Sequence, residues 1–529
     1  LDVVDSTYDV AGFDVGVNPA TDVGMVRDFR YQQRFDDAGG GRWMPYLIEY
    51  TASVHLELLG GDFALESTAV LDQFRFNQGA PPAGLGEYGV IVADGADRPD
   101  SATWAAAPTL PPQWTPVDGS GLSRDSVAYG GIAPARQRAG EAARRLVGAA
   151  SAIDPVHFNR VDGWSFGLGW TWHDLPDAPW MVPTAGLAYA TGSRRWQYRA
   201  GDQFRLSDDR RLWLGAAVQD ETVARSTLLA DGYNPSLRAI FAGAAADGLD
   251  YYREQDAVIS LSSKLVGLLQ LDAAYGDRRQ SSLAVLPRYA ADTSEQHRAP
   301  PNPAILDGRL RTLSVTLSYD SRPMLRQRGL DERLPMPTAT QVSLAAETSM
   351  PWTGGGAFVY QRYILRARHT TTSELGRTTL AVAGGLGTSS LPPQRYFTVD
   401  GGATVLQSQD APFSTLVDSV YAGNRAAAAS LEHDFGRQLF TRSAIPLMRL
   451  VPLTLAVHAG VFWTRFEGMP TFARAVAPAS APGPYREAGF TIGNLTPFLS
   501  PIDLAVRFGW QISAYPTARS RIGLGIGTP

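Results

Sequence analysis

Cysteine is absent from all 529 residues, so a disulfide framework, a thiolate metal site and thiol chemistry are excluded. Its absence suits an exported protein of a bacterial envelope. Lysine is almost absent as well: Lys264 stands alone, and arginine carries the rest of the positive charge. Neither sign dominates. The formal net charge is −5 and the isoelectric point about 5.9, which argues against a nucleic-acid partner. Charged residues make up only 19% of the chain, which excludes a charged disordered chain and a coiled coil. The 53 glycines and 36 prolines follow no triplet period, so collagen is out as well. Long apolar runs are also missing. The best stretch, residues 444–463, carries Pro446, Arg449, Pro452 and His458, whereas a helical span needs about 20 apolar residues with few charges. Mean hydropathy, −0.13, is too low for a bundle of membrane helices. The opening Leu1-Asp2-Val3-Val4-Asp5 lacks the basic start and apolar stretch of a signal peptide, and reads as the start of a processed or trimmed product. None of this excludes the membrane, because a spanning strand needs only about 10 residues with every second one apolar.

That pattern is present. Trp164, Phe166, Leu168, Trp170 and Trp172 alternate with Ser165, Gly167, Gly169 and Thr171, a period of two with one large apolar face and one small face. It recurs to the end of the chain, as in Leu453 to Trp463, Ile502 to Trp510, and Ile522, Leu524 and Ile526. The segments run about 9 to 13 residues, longer than the soluble mode of about 5 or 6. Their small face holds Arg, Asp, Gln and Gly, as a wet lumen would. Trp164, Trp172, Trp196, Tyr198, Trp463 and Trp510 fall near segment ends, as an interfacial aromatic belt requires. The pattern predicts strands at 164–172, 182–190, 194–206, 210–219, 256–264, 266–276, 310–320, 339–349, 357–369, 377–386, 423–435, 452–463, 487–494, 502–511 and 519–527. Bacterial single-chain barrels favour even numbers, so either a further strand lies within 281–290 or one of these fifteen is false. The fold class is all-β: a transmembrane antiparallel β-barrel of about 16 strands, with a small N-terminal α+β region read as periplasmic.

The first part of the chain has a different texture. Segments 25–36, 42–59 and 62–77 read as a small antiparallel sheet with turns at Gly39-Gly40-Gly41 and Gly60-Gly61. Residues 78–132 are rich in Pro, Gly, Asp and Ser, and 133–150 predict a short helix bearing Arg136, Arg138, Glu141, Arg144 and Arg145. The domain reading is therefore 1–80, a small periplasmic sheet; 81–157, a linker with a short helix and a candidate plug; and 158–529, the barrel. The stretch 222–250 breaks the strand rhythm, with a helix expected near 236–246.

Several stretches of the barrel region resemble the bacterial surface antigen superfamily, the outer-membrane barrels of the BamA and TamA assembly-factor type. Phe158-Asn159-Arg160-Val161-Asp162-Gly163 is similar to that family's barrel entry, and Tyr319-Asp320-Ser321-Arg322-Pro323 to its strand-end Asp-x-Arg. Asp400-Gly401-Gly402, Gly423-Asn424-Arg425 and Leu431-Glu432-His433-Asp434-Phe435 resemble its sixth extracellular loop and twelfth strand. Leu499-Ser500-Pro501-Ile502 with Leu504, and Arg521 to Gly527, resemble its last two strands. The order of these motifs implies sixteen strands, with 387–422 as the sixth loop. The chain also departs from the family. Where the sixth loop should carry Arg-Gly, this sequence has Thr404-Val405-Leu406-Gln407-Ser408, and where the thirteenth strand should supply an acid it has His458-Ala459-Gly460. Losing both partners is coherent, since one charge alone in the lumen would be costly. The expected Arg–acid loop lock is thus absent. The chain ends Gly527-Thr528-Pro529 rather than in a terminal aromatic, and the N-terminal region does not resemble repeated POTRA modules.

The chemistry-bearing residues are sparse. His55, His157, His173, His297, His369, His433 and His458 show no metal-ligand spacing and no HExxH, so no metal or cofactor is expected. His369 near Ser373 and His433 beside Asp434 do not make a triad, because adjacent strand residues point to opposite faces. Gly523-x-Gly525-x-Gly527 lacks the helix of a nucleotide fingerprint; like Gly384-Gly385, it reads as space for a loop or strand to approach. The lumen candidates are Arg362, Arg366 and Arg368 on one strand face, Glu432 and Asp434 on another, and His458, Asp503, Arg507 and Arg521. The sixth-loop candidates are Asp400, Gly401, Gly402, Leu406 and Gln407. Because both signs are present, a self-neutralising network is favoured over a selective constriction. The functional reading is a non-enzymatic outer-membrane barrel of surface-antigen type that handles polypeptides or anchors an envelope complex. Its expected partners are outer-membrane lipids or lipopolysaccharide and envelope lipoproteins or other subunits. The alternatives are a diffusion channel and, remotely, a membrane-embedded hydrolase.

Overall fold

A computed structural model describes residues 2–3, 9–16, 26–56, 61–71, 88–91, 156–172, 178, 180–207, 212–225, 228–229, 249–265, 268–285, 302–327, 330–334, 336–373, 375–400, 406–408, 413–416, 420–443, 453–468, 479–495, 503–513, 515 and 520–527. The expected helices at 133–150 and 236–246 lie outside these residues. The N-terminal unit holds a five-stranded antiparallel sheet of β1 (Asp2–Val3), β2 (Val10–Gly16), β3 (Val26–Asp37), β4 (Trp43–Leu56) and β5 (Gly61–Val70), paired in chain order. Its two faces differ. Phe13 stacks on Tyr31 at 5.7 Å on one, and Arg30 grips Asp14 at 3.0 Å on the other. That hydrogen bond holds the Asp14 carboxyl below its ordinary value.

The second unit is built on a closed barrel. Its wall runs β7 (Val156–Asn159), β8 (Gly163–Thr171), β9 (Thr184–Ala190), β10 (Arg195–Ser207), β11 (Leu212–Ala224), β12 (Tyr251–Lys264), β13 (Leu269–Ser282) and β14 (Gly308–Asp320). It continues through β17 (Thr338–Ser349), β18 (Tyr360–Ser373), β19 (Gly376–Gly387), β23 (Arg425–Gly436), β24 (Thr454–Arg465), β25 (Tyr485–Gly493), β26 (Asp503–Gln511) and β27 (Ser520–Gly527). These are sixteen wall strands among the described residues, each antiparallel to its sequence neighbour. All fifteen predicted strands are present. Among the described residues the further strand is β7; residues 281 and 282 end β13, and 286–290 lie outside the described residues. The smaller elements are β15 (Met324–Gln327) and β16 (Leu330–Arg333), which form a side sheet with β6 (Tyr88–Ile91), and three pieces of the long connection 388–424: β20 (Phe397–Asp400), β21 (Leu406–Ser408) and β22 (Val420–Gly423).

The strand directions define two rims. β7 begins and β27 ends at one, here the terminus rim; the connections 225–250, 283–307 and 388–424 lie at the other, the loop rim. Period two then sorts the side chains. Leu168, Leu187, Ile259, Leu317, Leu344, Leu365, Val382 and Leu431 point outward and are exposed, the surface that lipid requires. Phe166, Trp172, Trp196, Tyr198 and Trp510 share that outer face. Outward charges gather toward the loop rim, where Arg253 meets Asp220 at 2.5 Å and Arg311 meets Asp277 at 3.2 Å. The strand ends there rise beyond the apolar band. No helix among the described residues is long and apolar enough to cross a membrane.

This sidedness is directly testable on one strand. Val315 faces outward in the apolar band and Thr316 faces the lumen. Val315→Arg is expected to cost about 2–4 kcal/mol in reversible folding into lipid vesicles, and Thr316→Arg much less. Equal costs would mean that the faces have been assigned the wrong way round.

Candidate functional site: a loop held inside the barrel

The connection 388–424 does not stay at the rim. Its Phe397, Val399, Phe413 and Leu416 are buried in one apolar cluster with the inward wall residues Leu310, Tyr360, Ala383, Ala426 and Phe462. Phe413 meets Phe462 edge-on at 5.0 Å and Tyr485 at 5.7 Å. Burying Phe413 and Leu416 contributes about 1.5–3 kcal/mol each. The wall makes room with glycine. A Cβ on Gly385 would come within 2.5 Å of the Phe397 ring, and one on Gly509 would collide with the Ser414 hydroxyl. Toward the loop rim the lumen is therefore a packed core rather than the wet channel its small residues suggest.

A carboxylate fastens this loop. Glu487 of β25 is 1% exposed. Its Oε1 accepts hydrogen bonds from the Ser414 backbone N–H at 2.6 Å and hydroxyl at 2.9 Å. Its Oε2 accepts from the Thr415 backbone N–H at 3.0 Å, the Thr415 hydroxyl at 2.8 Å and the Tyr485 hydroxyl at 2.8 Å. A carboxylate offers about four lone-pair sites, so this one is saturated. Consecutive backbone N–H groups make an anion nest for it, and no cation is required.

On the other side the loop is fastened by ion pairs. Arg395 approaches Glu254 at 3.8 Å and Glu347 at 3.6 Å, and Glu347 also holds Arg362 at 3.1 Å. Arg278 faces Glu254 at 3.9 Å and Asp256 at 3.6 Å. Arg278, Arg362 and Arg395 thus balance Glu254, Asp256 and Glu347. The Thr398 carbonyl accepts a hydrogen bond from the Leu228 backbone N–H at 2.9 Å, which joins a second connection to the plug.

Between β27 and β8 the wall is thin. β7 pairs only with residues 163–166 of β8. β27 pairs with β26 along one edge and with loop strand β21 along the other, in parallel register from Leu406↔Leu524 to Ser408↔Ile526. The turn between β7 and β8 is buried: Asn159 caps the Val161 and Asp162 N–H groups at 3.0 and 2.6 Å, and Arg160 pairs with Asp250 at 3.1 Å.

The candidates named from sequence separate accordingly. Arg362, Arg366 and Arg368 all face the lumen, and Arg362 joins the charge network through Glu347. Arg366 donates to the Leu228 carbonyl at 3.2 Å. Asp434 sits 3.7 Å from Arg377 near the terminus rim, and Glu432 faces His458 across the ladder. His458 and Arg507 are buried, and the His458 ring covers Gly489. Asp503 and Arg521 pair with Gly527 and Gly509 in the ladder; their side chains lie outside the described residues, as do Gly401, Gly402 and the side chains of Asp400, Leu406 and Gln407. His369 and His433 face outward, each bonded at 2.8 Å to a threonine hydroxyl, of Thr340 and Thr378. The sequence reading did not find Glu254, Glu347, Arg395 or Glu487. The parity of β25 was the available signal for Glu487, as its one inward acid.

No known family profile matches the chain, and no curated protein matches it. Among solved structures the chain is similar to BamA from Haemophilus ducreyi lacking POTRA domains 1–3, with 13% identity and a TM-score of 0.42, over 69% of this chain and 68% of that one. It is similar to CdiB from Escherichia coli at 10% identity and a TM-score of 0.38, over 69% and 59%. It also matches the outer membrane protein OpdK from Pseudomonas aeruginosa at 10% identity and a TM-score of 0.29, over 70% and 95%.

The carboxylate lock predicts a local response. Hydrogen bonds to a charged group contribute about 1.5–3 kcal/mol each. Glu487→Ala is therefore expected to speed amide hydrogen exchange at Ser414 and Thr415 by about tenfold or more, with the β23–β24 ladder unchanged. Unaltered exchange at both amides would show that the loop is held elsewhere.

Proposed function

We propose that this chain is a non-enzymatic outer-membrane barrel of surface-antigen type whose lumen is closed by its own long loop, and that it handles polypeptide segments rather than passing small solutes. The observation that carries this reading is the plug itself, fastened to opposite walls by Glu487 and by Glu254 with Glu347. A passive pore has no use for a packed apolar core across its lumen. The seam supports the same reading. A sheet edge that already accepts the three-residue strand β21 in place of a full wall strand is a surface on which an extended chain can add by backbone hydrogen bonds. On this reading its partners are envelope polypeptides, and its surroundings are outer-membrane lipids.

Planar-bilayer recording tests the closed lumen. The wild-type chain is expected to hold a closed or flickering baseline, and Phe413→Ala combined with Glu487→Ala to open long-lived conductance. A large steady pore in the wild type would favour the diffusion channel instead. A photoreactive residue at Gln407, in cells, is expected to crosslink envelope polypeptides. A Gln407→Cys, Gly525→Cys disulfide, in a chain with no other cysteine, is expected to suppress those crosslinks.

A further inference from the structure

Arg253, Arg279, Arg309 and Arg311 stand on the outer face of the wall, where β12, β13 and β14 rise out of the apolar band. Three of them are answered by acids. Arg253 holds Asp220, and Asp277 takes both Arg309, at 2.6 Å, and Arg311, at 3.2 Å. Arg279 is exposed and makes no hydrogen bond or ion pair among the described residues. Its ladder neighbours offer it nothing. On one side is Gln255, whose amide is turned to Asp220 at 2.8 Å. On the other is Arg309, directly opposite, and a like charge in that position destabilises an antiparallel pair. Asp307, at the outer edge, accepts from the Ser282 N–H and hydroxyl at 2.7 and 2.8 Å. Even with Asp307 counted, four guanidiniums face three carboxylates, so this patch keeps a positive charge of its own.

The surroundings say what kind of anion can reach it. Further down the same face Ile259, Tyr275 and Val315 point outward and are exposed, the surface that lipid chains cover. To one side the turn between β17 and β18 leans outward over β14. The Tyr275 hydroxyl donates to the Thr353 carbonyl at 2.8 Å, and Arg311 donates to the Gly354 carbonyl. That turn presents Trp352, 67% exposed, as an indole at the boundary between water and hydrocarbon is presented. An anion beside Arg279 thus has guanidiniums at its own level and hydrocarbon immediately below.

We propose that this patch binds the phosphate headgroup of a lipid in the leaflet at the loop rim. Arg279 and Arg309 would grip the phosphate oxygens, for which guanidinium geometry is suited, and the acyl chains would run down over Ile259, Tyr275 and Val315. The phosphate relieves the repulsion between two arginines that the protein's own acids leave standing. Long connections mark the extracellular rim of an outer-membrane barrel, so the lipid is one of the outer leaflet. The patch lies on the outside of the wall, apart from plug and seam, and stands whether or not the barrel handles polypeptides.

The test is native mass spectrometry of the full chain released from nanodiscs of phosphatidylcholine seeded with lipid A, a phosphorylated glycolipid. Retained lipid A is expected on the wild-type barrel. Retention should fall about tenfold or more in Arg279→Gln and hold in Arg368→Gln, which removes an arginine from the lumen face instead. Lipid A stripped of its phosphates should be retained no better than phosphatidylcholine, and excess inorganic phosphate should not displace the intact lipid. Absence of retained lipid A would overturn the proposal, as would retention indifferent to Arg279→Gln or to loss of the phosphates. An equal fall in Arg368→Gln would trace the effect to net charge and overturn the site as well. Displacement by inorganic phosphate would overturn the lipid part of the assignment in favour of a free anion. If Arg279→Gln does not fold, as judged by heat-shifted gel mobility, the phosphate-free lipid alone decides.

Discussion

Lipid cannot hydrogen-bond a peptide group, and that constraint shapes the rest of this structure. Each N–H and C=O in the hydrocarbon region must find a partner on a neighbouring strand, so the sheet has to close. Closure fixes register, and register fixes parity, because a one-residue slip would turn a whole strand inside out. The ladders from β8 to β27 are accordingly long and nearly free of bulges. The difficult place is the join. A four-residue β7 cannot cover the eight residues of β27, and β21 supplies partners along part of that edge.

A sheet of sixteen strands encloses more space than its inward side chains can fill. Here the wall was not enlarged to meet that need. Its inward positions are small at Gly385, Ala383, Ala426 and Gly509, and the loop brings the bulk in Phe397, Phe413 and Leu416. The polar contacts follow the same division. Where the loop presents bare amides at Ser414 and Thr415, the wall answers with a carboxylate. Where it presents a guanidinium at Arg395, the wall answers with two. Buried charge is tolerated because each ion has its hydrogen bonds or its counter-ion.

Period two made the barrel legible, since lipid on one side and a lumen on the other imprint it on every spanning strand. The signal fades where that cause fades. β11, β12 and β13 extend well past 210–219, 256–264 and 266–276, because their loop-rim ends leave the apolar band. There the outward residues are Asp220, Arg253 and Asp277, so the alternation vanishes while the ladder continues. β7 was missed because four residues cannot display a period, and its buried Asn159–Asp162 turn reads as a solvated loop. Gly385 reads as room for an approaching segment, and the Phe397 ring fills that room, but nothing in the sequence says which segment approaches. The Glu487 lock was illegible for a chemical reason. A search for an Arg and its acid examines side chains, whereas half of this lock is backbone N–H, which every residue but proline carries.

That chemistry bears on how the plug could leave. In an Arg–acid lock, separation strands two desolvated ions at once. Here withdrawal of Ser414 and Thr415 returns neutral groups to water and leaves a single carboxylate on the wall. Withdrawal of Arg395 removes one of the three guanidiniums that, among the described residues, form ion pairs with Glu254, Asp256 and Glu347, and leaves one negative charge in excess. An emptied lumen would thus carry unmet acceptors on both sides, at Glu487 and around Glu347. It would be poorly solvated among the apolar residues that Phe413 and Leu416 had covered. The state that relieves this needs amide donors, some positive charge and apolar side chains together, and an extended polypeptide supplies all three. On the reading proposed above, the loop is held by the same interactions that would receive its replacement, so plug and client compete for one set of partners, and neither has to strand a buried ion while the other is bound.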